Sequence, residues 1–141
     1  MKLRIIPILA MLILAMLLVA CAPSAGTKVN VTCDDFNAQP NASKQLAVDA
    51  GNTFTVTLCS NATTGFKWSE SAQISDQTVV QQTGQEFVSP QNTGVIGAPG
   101  SEVWTFKALK KGTSTINMEY GRPWEGGEKG VWTFSLTVTV N

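Results

Sequence analysis

Three short segments of the chain combine threonine hydroxyls, glycine, proline, arginine and tryptophan, residue types suited to binding another protein rather than to making or breaking bonds. The segments are Asn61-Ala62-Thr63-Thr64-Gly65-Phe66, Gly97-Ala98-Pro99-Gly100 and Arg122-Pro123-Trp124-Glu125. Glycine can adopt a positive φ and close a tight turn. Tryptophan and arginine often dominate the binding energy of an interface. These segments therefore predict non-covalent recognition of a surface.

A catalytic centre is not predicted, because the 141 residues include no histidine. This removes the usual general base, the base of a Ser–His or Cys–His pair and the commonest metal ligand. The acidic pairs Asp34-Asp35 and Glu125/Glu128 are typical of solvated loops rather than of a catalytic dyad. We therefore predict no enzymatic activity, no cofactor and no metal site.

The charge of the chain argues against a nucleic-acid partner. Ten basic and ten acidic residues give a formal net charge of +0. Without residues 1–20, which contain Lys2 and Arg4, 8 basic and 10 acidic residues remain, a net charge of −2. A basic excess, which phosphate binding requires, is missing, so nucleic-acid binding is not predicted.

The N-terminus has the pattern of a secretory signal peptide. Lys2 and Arg4 precede an almost wholly apolar run, Ile5–Ala20, which is short for a spanning helix of about 20 residues. The following Leu18-Val19-Ala20-Cys21 resembles a bacterial lipobox. The alternatives are an ordinary signal peptide or an uncleaved anchor with a fortuitous cysteine.

The lipobox resemblance implies cleavage before Cys21 and lipidation of that cysteine, palmitate included. We then expect an exported protein that is anchored to the cell membrane by its N-terminal lipid, with its folded domain outside the cytoplasm. Residues 22–29 are interpreted as a flexible tether. The predicted domain boundaries are a signal peptide over 1–20, a lipidated N-terminal segment over 21–43 and a folded domain over 44–141.

Two further cysteines, Cys33 and Cys59, remain once Cys21 carries lipid. An even pair in an exported protein favours a disulfide, with two free thiols as the alternative. Such a bond would connect the N-terminal segment to the end of the strand that enters the first binding segment, and could stiffen it.

The hydrophobic pattern predicts an all-β fold. Residues 53–59 alternate between Phe54, Val56, Leu58 and threonines, and residues 132–140 alternate in the same way, which is the period of a half-buried strand. About seven short strands with frequent turns indicate an immunoglobulin-like antiparallel β-sandwich in one domain. The predicted strands cover 44–50, 53–59, 66–68, weak segments at 79–80 and 87–88, 103–109, 113–120 and 132–140.

In such a sandwich three loops can gather at one end: the first loop (61–66), the second loop (93–100) and the third loop (121–130). Their motifs, in this order, resemble the chagasin family of inhibitors of papain-like cysteine proteases. Asn61 to Phe66 resembles the family's Asn-Pro-Thr-Thr-Gly-aromatic loop, Gly97 to Gly100 its glycine-rich loop, and Arg122-Pro123-Trp124 its Arg-Pro-Trp loop. The resemblance covers roughly residues 44–140.

The resemblance implies tight, reversible inhibition of papain-like (C1-type) cysteine proteases by a monomer that blocks the cleft. It implies that the first loop meets the catalytic cysteine and histidine of the enzyme, the second loop the non-primed side and the third loop the primed side. The residues it implicates in binding are Asn61, Thr63, Thr64, Gly65, Phe66, Gly97, Gly100, Arg122, Pro123 and Trp124.

Two departures from the family pattern are expected to weaken binding. Ala62 replaces a proline, which leaves the first loop less pre-organised. Pro99 replaces a glycine and removes a backbone N–H from the second loop.

Other interpretations stay open. The first loop could be only a hairpin turn, and Arg122 could only pair with Glu125 or Glu128 on the surface. Trp124 could fold back over the end of the sandwich. The sequon Asn61-Ala62-Thr63 is treated as incidental. As a whole, the chain could be a surface adhesion or interaction module.

Overall fold

A computed structural model of the chain describes residues 26–91 and 94–141. The predicted signal peptide and the lipidation residue Cys21 lie outside the described residues. Within the described part, the structure has no helix of the length and hydropathy needed to cross a bilayer.

Two sheets pack face to face. The first sheet has the strand order β1-β3-β7-β6, and the second has the order β2-β9-β8-β4 with β5 beside β8. The predicted sandwich is therefore confirmed. The bounds are β1 (Thr27–Val31), α1 (Cys33–Ala38), β2 (Asn41–Val48), β3 (Thr53–Ser60), β4 (Lys67–Trp68), β5 (Gln73–Ile74), β6 (Val80–Val88), β7 (Gly100–Ala108), β8 (Gly112–Gly121) and β9 (Trp132–Val140).

The core lies between the sheets, because every second side chain of each strand points into the space between them. Strand β3 buries Phe54, Val56 and Leu58, as its alternation predicted. Trp68 and Trp104 are likewise buried. The other sandwich-facing side chains with the largest buried volumes are Phe106, Phe134, Ile116, Met118 and Leu136.

The sheets are mixed rather than purely antiparallel. Strand β1 pairs in parallel with β3, and β2 pairs in parallel with β9. Strand direction is set by the route of the connections, which hydrophobic alternation does not report. The other strand pairs described are antiparallel, as predicted.

The folded unit begins well before residue 44, so the N-terminal segment is part of the domain. Residues 27–29, expected to be tether, form most of β1, and 41–43 form the start of β2. Between them α1 begins at a capping box, in which the Thr32 hydroxyl accepts from the Asp35 backbone and the Asp35 carboxylate accepts from the Thr32 backbone. Phe36 of this helix is 0% exposed. A helix of six residues is too short to show helical periodicity, which explains why the pattern missed it.

The short connection over residues 110–112 is not a hairpin turn within one sheet. Strand β7 belongs to the first sheet and β8 to the second, so this connection crosses from one sheet to the other. Apolar and polar residues alternate along both strands, whether the strands lie in one sheet or in two. The sequence pattern therefore does not show that the two strands belong to different sheets.

Cys33, at the start of α1, forms a disulfide with Cys59 near the end of β3, with a Cα–Cα distance of 5.1 Å. The cysteine count predicted this pair. The bond closes 26 residues, for which loop-closure entropy gives about 3.5 kcal/mol of stabilisation.

We expect the Cys33→Ser/Cys59→Ser variant to lose about this free energy of unfolding in urea. An unchanged urea midpoint in the double variant would contradict the prediction.

The capping box also predicts a pH dependence. Hydrogen bonds from the backbone N–H and hydroxyl of Thr32 lower the pKa of Asp35 below its ordinary value of 3.8. A lowered native pKa adds stability above the unfolded value, and that stability is lost as the pH falls through the native value. In urea unfolding from about pH 5 to about pH 2, Asp35→Asn should lose less stability than wild type. If the unfolding free energies of the two proteins changed with pH in the same way, the lowered pKa of Asp35 would be contradicted.

Candidate functional site

The three loops meet at one end of the sandwich because the strands that carry them are neighbours. Ser60, the last residue of β3, pairs with Gly100, the first residue of β7, which brings the first and second loops together. Lys67 of β4 pairs with Gly121 of β8, which brings the first and third loops together. We call this the loop end.

The first loop is a compact turn held by its own side chains. The Asn61 side-chain oxygen accepts from the Thr63 backbone N–H at 3.2 Å and from the Thr63 hydroxyl at 2.7 Å. The Thr64 hydroxyl donates to the Asn61 carbonyl at 2.7 Å. A single 3-10 turn, Ala62–Thr64, then ends at Gly65, whose φ of 76° is in the left-handed region. These bonds hold the loop in a compact turn with alanine at position 62.

The base of the first loop is fixed by two buried polar groups. The Asn61 backbone N–H donates to the Tyr120 hydroxyl at 2.9 Å. Glu102 is 5% exposed and accepts from the Ser60 hydroxyl at 2.8 Å and from the Trp68 backbone N–H at 3.3 Å. Its second oxygen accepts from the Gln85 amide at 3.1 Å. Buried polar groups with partners on several strands hold both ends of the loop in one position.

The second loop is joined to the first by Asn61. The Asn61 side-chain amide donates to the Gly97 carbonyl at 3.1 Å, and Gly97 has a φ of 84°. Gly100 has a different role, since a Cβ there would collide with the Val88 carbonyl and the Phe87 ring. The tip of this loop is apolar: Ile96 is fully exposed, at 102%.

The third loop lies against the first. The Trp124 ring packs on Gly65 so closely that a Cβ at Gly65 would lie 2.8 Å from the end of the indole. Trp124 nevertheless stays 52% exposed. The Arg122 guanidinium carbon lies 4.4 Å from the centre of the Phe66 ring and 5.8 Å from that of Trp124. Arg122 also pairs with Glu128 at 3.6 Å, an exposed contact of little energetic weight.

The third loop is closed on itself by backbone and lysine contacts. The Arg122 N–H donates to the Glu128 carbonyl at 2.7 Å, and the Gly127 N–H donates to the Trp124 carbonyl at 3.1 Å. The Lys129 ammonium donates to the carbonyls of Arg122 and Trp124. Lys129 therefore bridges the two residues that carry the Arg-Pro-Trp motif.

A stack of rings connects the loop end to the N-terminal helix. Phe36 stacks on Trp132 with ring centres 5.0 Å apart, and Trp132 stacks on Tyr120 at 4.7 Å. Tyr120 then stacks on Phe66 at 5.7 Å, and Phe66 lies under Arg122. We call these five residues, Phe36, Trp132, Tyr120, Phe66 and Arg122, the aromatic stack.

The structure thus brings the three predicted loops together and divides their residues into two groups. Thr63, Thr64, Pro123 and Trp124 are exposed at the surface. Asn61, Gly65, Phe66, Gly97, Gly100 and Arg122 are partly buried and contact other parts of the protein. Among the described residues there is no group of three or more side chains that could hold a metal ion.

The sequence argument missed three residues that position the loops: Phe36, Tyr120 and Lys129. Tyr120 lies in the predicted strand 113–120 and its ring is buried, but its hydroxyl also holds the first loop. A buried tyrosine usually finds a partner for its hydroxyl, and this was the available signal. Lys129 carried no comparable signal, because its contacts depend on the path of the loop.

Comparisons with known proteins agree with these features. The model of a family described as chagasin family peptidase inhibitor I42 matches residues 47–138. Chagasin from Trypanosoma cruzi is 29% identical over 97 residues, covering 68% of this chain and 88% of chagasin.

Solved structures show the same fold. The cysteine protease inhibitor EhICP2 from Entamoeba histolytica superposes with a TM-score of 0.64 at 21% identity, covering 83% of this chain and 98% of that one. PbICP-C, solved in complex with falcipain-2, superposes with a TM-score of 0.58 at 17% identity, covering 82% of this chain and 100% of that one.

Proposed function

Because the chain belongs to the chagasin family of peptidase inhibitors, we propose that it reversibly inhibits papain-like cysteine proteases by filling the active-site cleft with the loop end. The family is one of inhibitors and not of enzymes, which agrees with the lack of histidine. The complex of PbICP-C with falcipain-2 supports papain-like enzymes as the target class.

The observation that carries the proposal is the mutual support of the three loops. Asn61 joins the first loop to the second, and Trp124 on Gly65 joins the first to the third. A surface that is ordered before binding loses less conformational entropy when it binds. The loop end is thus suited to occupy a narrow cleft as one rigid edge.

The exposed residues have separate roles in this proposal. Thr63 and Thr64 present small hydroxyls at the tip that faces the catalytic cysteine and histidine of the protease. The second loop covers the non-primed side, and Trp124 with Pro123 covers the primed side. Arg122 lies over the Phe66 ring and near the Trp124 ring, which supports a role for Phe66 and Arg122 in holding the third loop as well as in contacting the protease.

The test uses the chain from residue 22 onward, which retains every described contact. It is titrated into papain and a cathepsin-L-like enzyme with a fluorogenic substrate, and into a trypsin-type serine protease as the control. The proteases are activated and then freed of reductant, because reductant would open the Cys33–Cys59 bond. We expect a dose-dependent loss of cysteine-protease activity alone, reversed on dilution. A folded protein without effect on the cysteine proteases would overturn the proposal and favour an adhesion module.

Lys129 supplies a prediction within this function. Lys129→Met removes the ammonium that bridges the carbonyls of Arg122 and Trp124. Because these hydrogen bonds are exposed to water, we expect a loss of about 0.5–1.5 kcal/mol, which raises the inhibition constant for papain about two- to tenfold. The melting temperature should hardly change because the residue is exposed. Lys111→Met, an exposed lysine far from the loops, is the matched control, and an equal effect of both variants would refute a positioning role.

The location of the protein is a further part of the proposal. We propose that Cys21 is lipidated and holds the domain at the membrane, outside the cytoplasm, as a monomer. The lipobox pattern supports this. Labelled palmitate should enter the wild-type chain in a bacterial host and not the Cys21→Ser variant, and equal labelling of the two would contradict it.

A further inference from the structure

The described chain begins at the end of the sandwich opposite to the loops. Strand β1 runs parallel to β3, with Thr27 beside Phe54 at the start of that strand. A Cβ at Gly26 would lie 3.4 Å from the Thr53 carbonyl, so the first described residue lies at this end too. The eight residues of β3 separate the two ends by about 26 Å.

The end where the described chain begins is basic. We call it the basic end. Lys28 and Lys107 lie on the outer face of the first sheet, next to Thr55 and Thr53 of β3. Lys110 and Lys111 form the connection from β7 to β8, and all four lysines are exposed.

The charges along the sandwich are strongly divided. Two carboxylates, Asp49 and Asp76, lie among the four lysines, which leaves the basic end at a net +2. Hydrogen bonds from Thr78 chiefly lower the pKa of Asp76, and Lys110 adds a smaller lowering. The loop end has four basic residues, Lys44, Lys67, Arg122 and Lys129, against eight acidic ones, a net −4. The acidic residues of the loop end are Asp34, Asp35, Glu70, Glu86, Glu102, Glu119, Glu125 and Glu128.

We propose that the basic end docks on the anionic lipid headgroups of the membrane that holds the protein, so that the loop end points away from the bilayer. The proposal rests on the proposed lipid anchor at Cys21. The five residue-to-residue steps from Cys21 to Gly26 span at most about 17 Å, so the anchor keeps the four lysines close to the surface. The attraction is strong only within about one Debye length, about 8 Å at physiological salt, and the short tether lets the lysines come within that distance of the surface.

Both signs of charge favour this orientation. Lysines near an anionic surface are attracted within a Debye length, while the acidic loop end is repelled from the same surface. The consequence for function is that the inhibitory loops face the compartment in which a protease arrives. The membrane thereby acts as a second partner, at a surface separate from the loops.

The first experiment measures binding of the unlipidated chain from residue 22 to vesicles. Phosphatidylglycerol/phosphatidylcholine vesicles are compared with pure phosphatidylcholine, at low and at high salt. We expect binding to the anionic vesicles only, and its loss at high salt. Lys110→Gln/Lys111→Gln should weaken binding about thirtyfold while papain inhibition is unchanged. The control Lys44→Gln/Lys67→Gln removes the same charge elsewhere and should leave vesicle binding near that of wild type.

Orientation is measured by nuclear magnetic resonance with a spin-labelled lipid headgroup. The amide signals of Gly51 and Lys110 should broaden, whereas those of Gly65 and Trp124 should not. Binding to neutral vesicles of equal strength, equal losses in the two double variants, or broadening at Gly65 would each overturn the proposal. Papain inhibition and palmitate labelling are measured separately, so failure here is distinguishable from failure of the proposed function.

Discussion

Phe36→Ala should lower the free energy of unfolding by about 3–5 kcal/mol, the range for a large aromatic side chain removed from a core. Phe36 is 0% exposed, with its ring centre 5.0 Å from that of Trp132 and 5.2 Å from that of Trp68. Alanine at this site would leave a cavity between the helix and both indoles. Because Phe36 lies in the segment expected to precede the domain, this variant tests whether that segment belongs to the core.

Urea unfolding followed by near-ultraviolet circular dichroism measures the loss, since the stacked tryptophans report their own packing. Asn37→Ala, an exposed substitution in the same helix, is the matched control and should stay within about 0.5 kcal/mol of wild type. A Phe36→Ala protein as stable as Asn37→Ala would show that the helix does not contribute to the core. If Phe36→Ala does not fold, Phe36→Leu, which keeps most of the buried volume, should give an intermediate loss.

The same packing shows what the sequence could predict and what it could not. Alternation in 53–60 and 132–140 fixes which side chains face inward, and for that reason Phe54, Leu58, Leu136 and their neighbours were predicted correctly. The direction of strand pairing left no such mark, because a parallel partner and an antiparallel one bury the same face. The helix around Phe36 was missed since six residues give less than two turns of periodicity.

The site shows a similar division. The loop motifs were visible because glycine, proline and tryptophan restrict local backbone or provide exposed surface. The contacts that hold the loops together join residues far apart in sequence, such as Gly65 with Trp124 and Asn61 with Gly97. Only the strand order brings them together, and no local pattern encodes that order. Arg122 is another example, since its guanidinium lies over the Phe66 ring of the first loop and neither motif indicated that contact.

Gly65→Ala should raise the inhibition constant for papain about 100-fold, the effect of losing a strong interface contact. Two effects act together at this residue. A φ of 76° is unfavourable for alanine, and the added methyl would lie 2.8 Å from the Trp124 ring. Backbone strain alone would loosen the first loop, whereas the clash would also displace the main side chain of the third loop.

Gly51→Ala controls for the overall loss of stability, because Gly51 lies at the opposite end of the sandwich with a similar φ of 87°, and a Cβ there meets nothing within 4 Å. The control should lose about 1 kcal/mol of stability, as expected for alanine in place of glycine at positive φ, and inhibit papain as wild type does. If Gly51→Ala and Gly65→Ala changed inhibition equally, the effect of Gly65→Ala would be one of overall stability and not of the first loop.

A double-mutant cycle then tests whether Gly65 acts through Trp124. Trp124→Ala alone should weaken inhibition about thirtyfold to a thousandfold, the range for a tryptophan hot spot. In the Trp124→Ala background the methyl of Gly65→Ala no longer meets a ring, so the second substitution should cost much less than it does in wild type. Additive losses would mean that the two loops bind the protease independently, and the loop end would then be three separate contacts rather than one pre-organised edge.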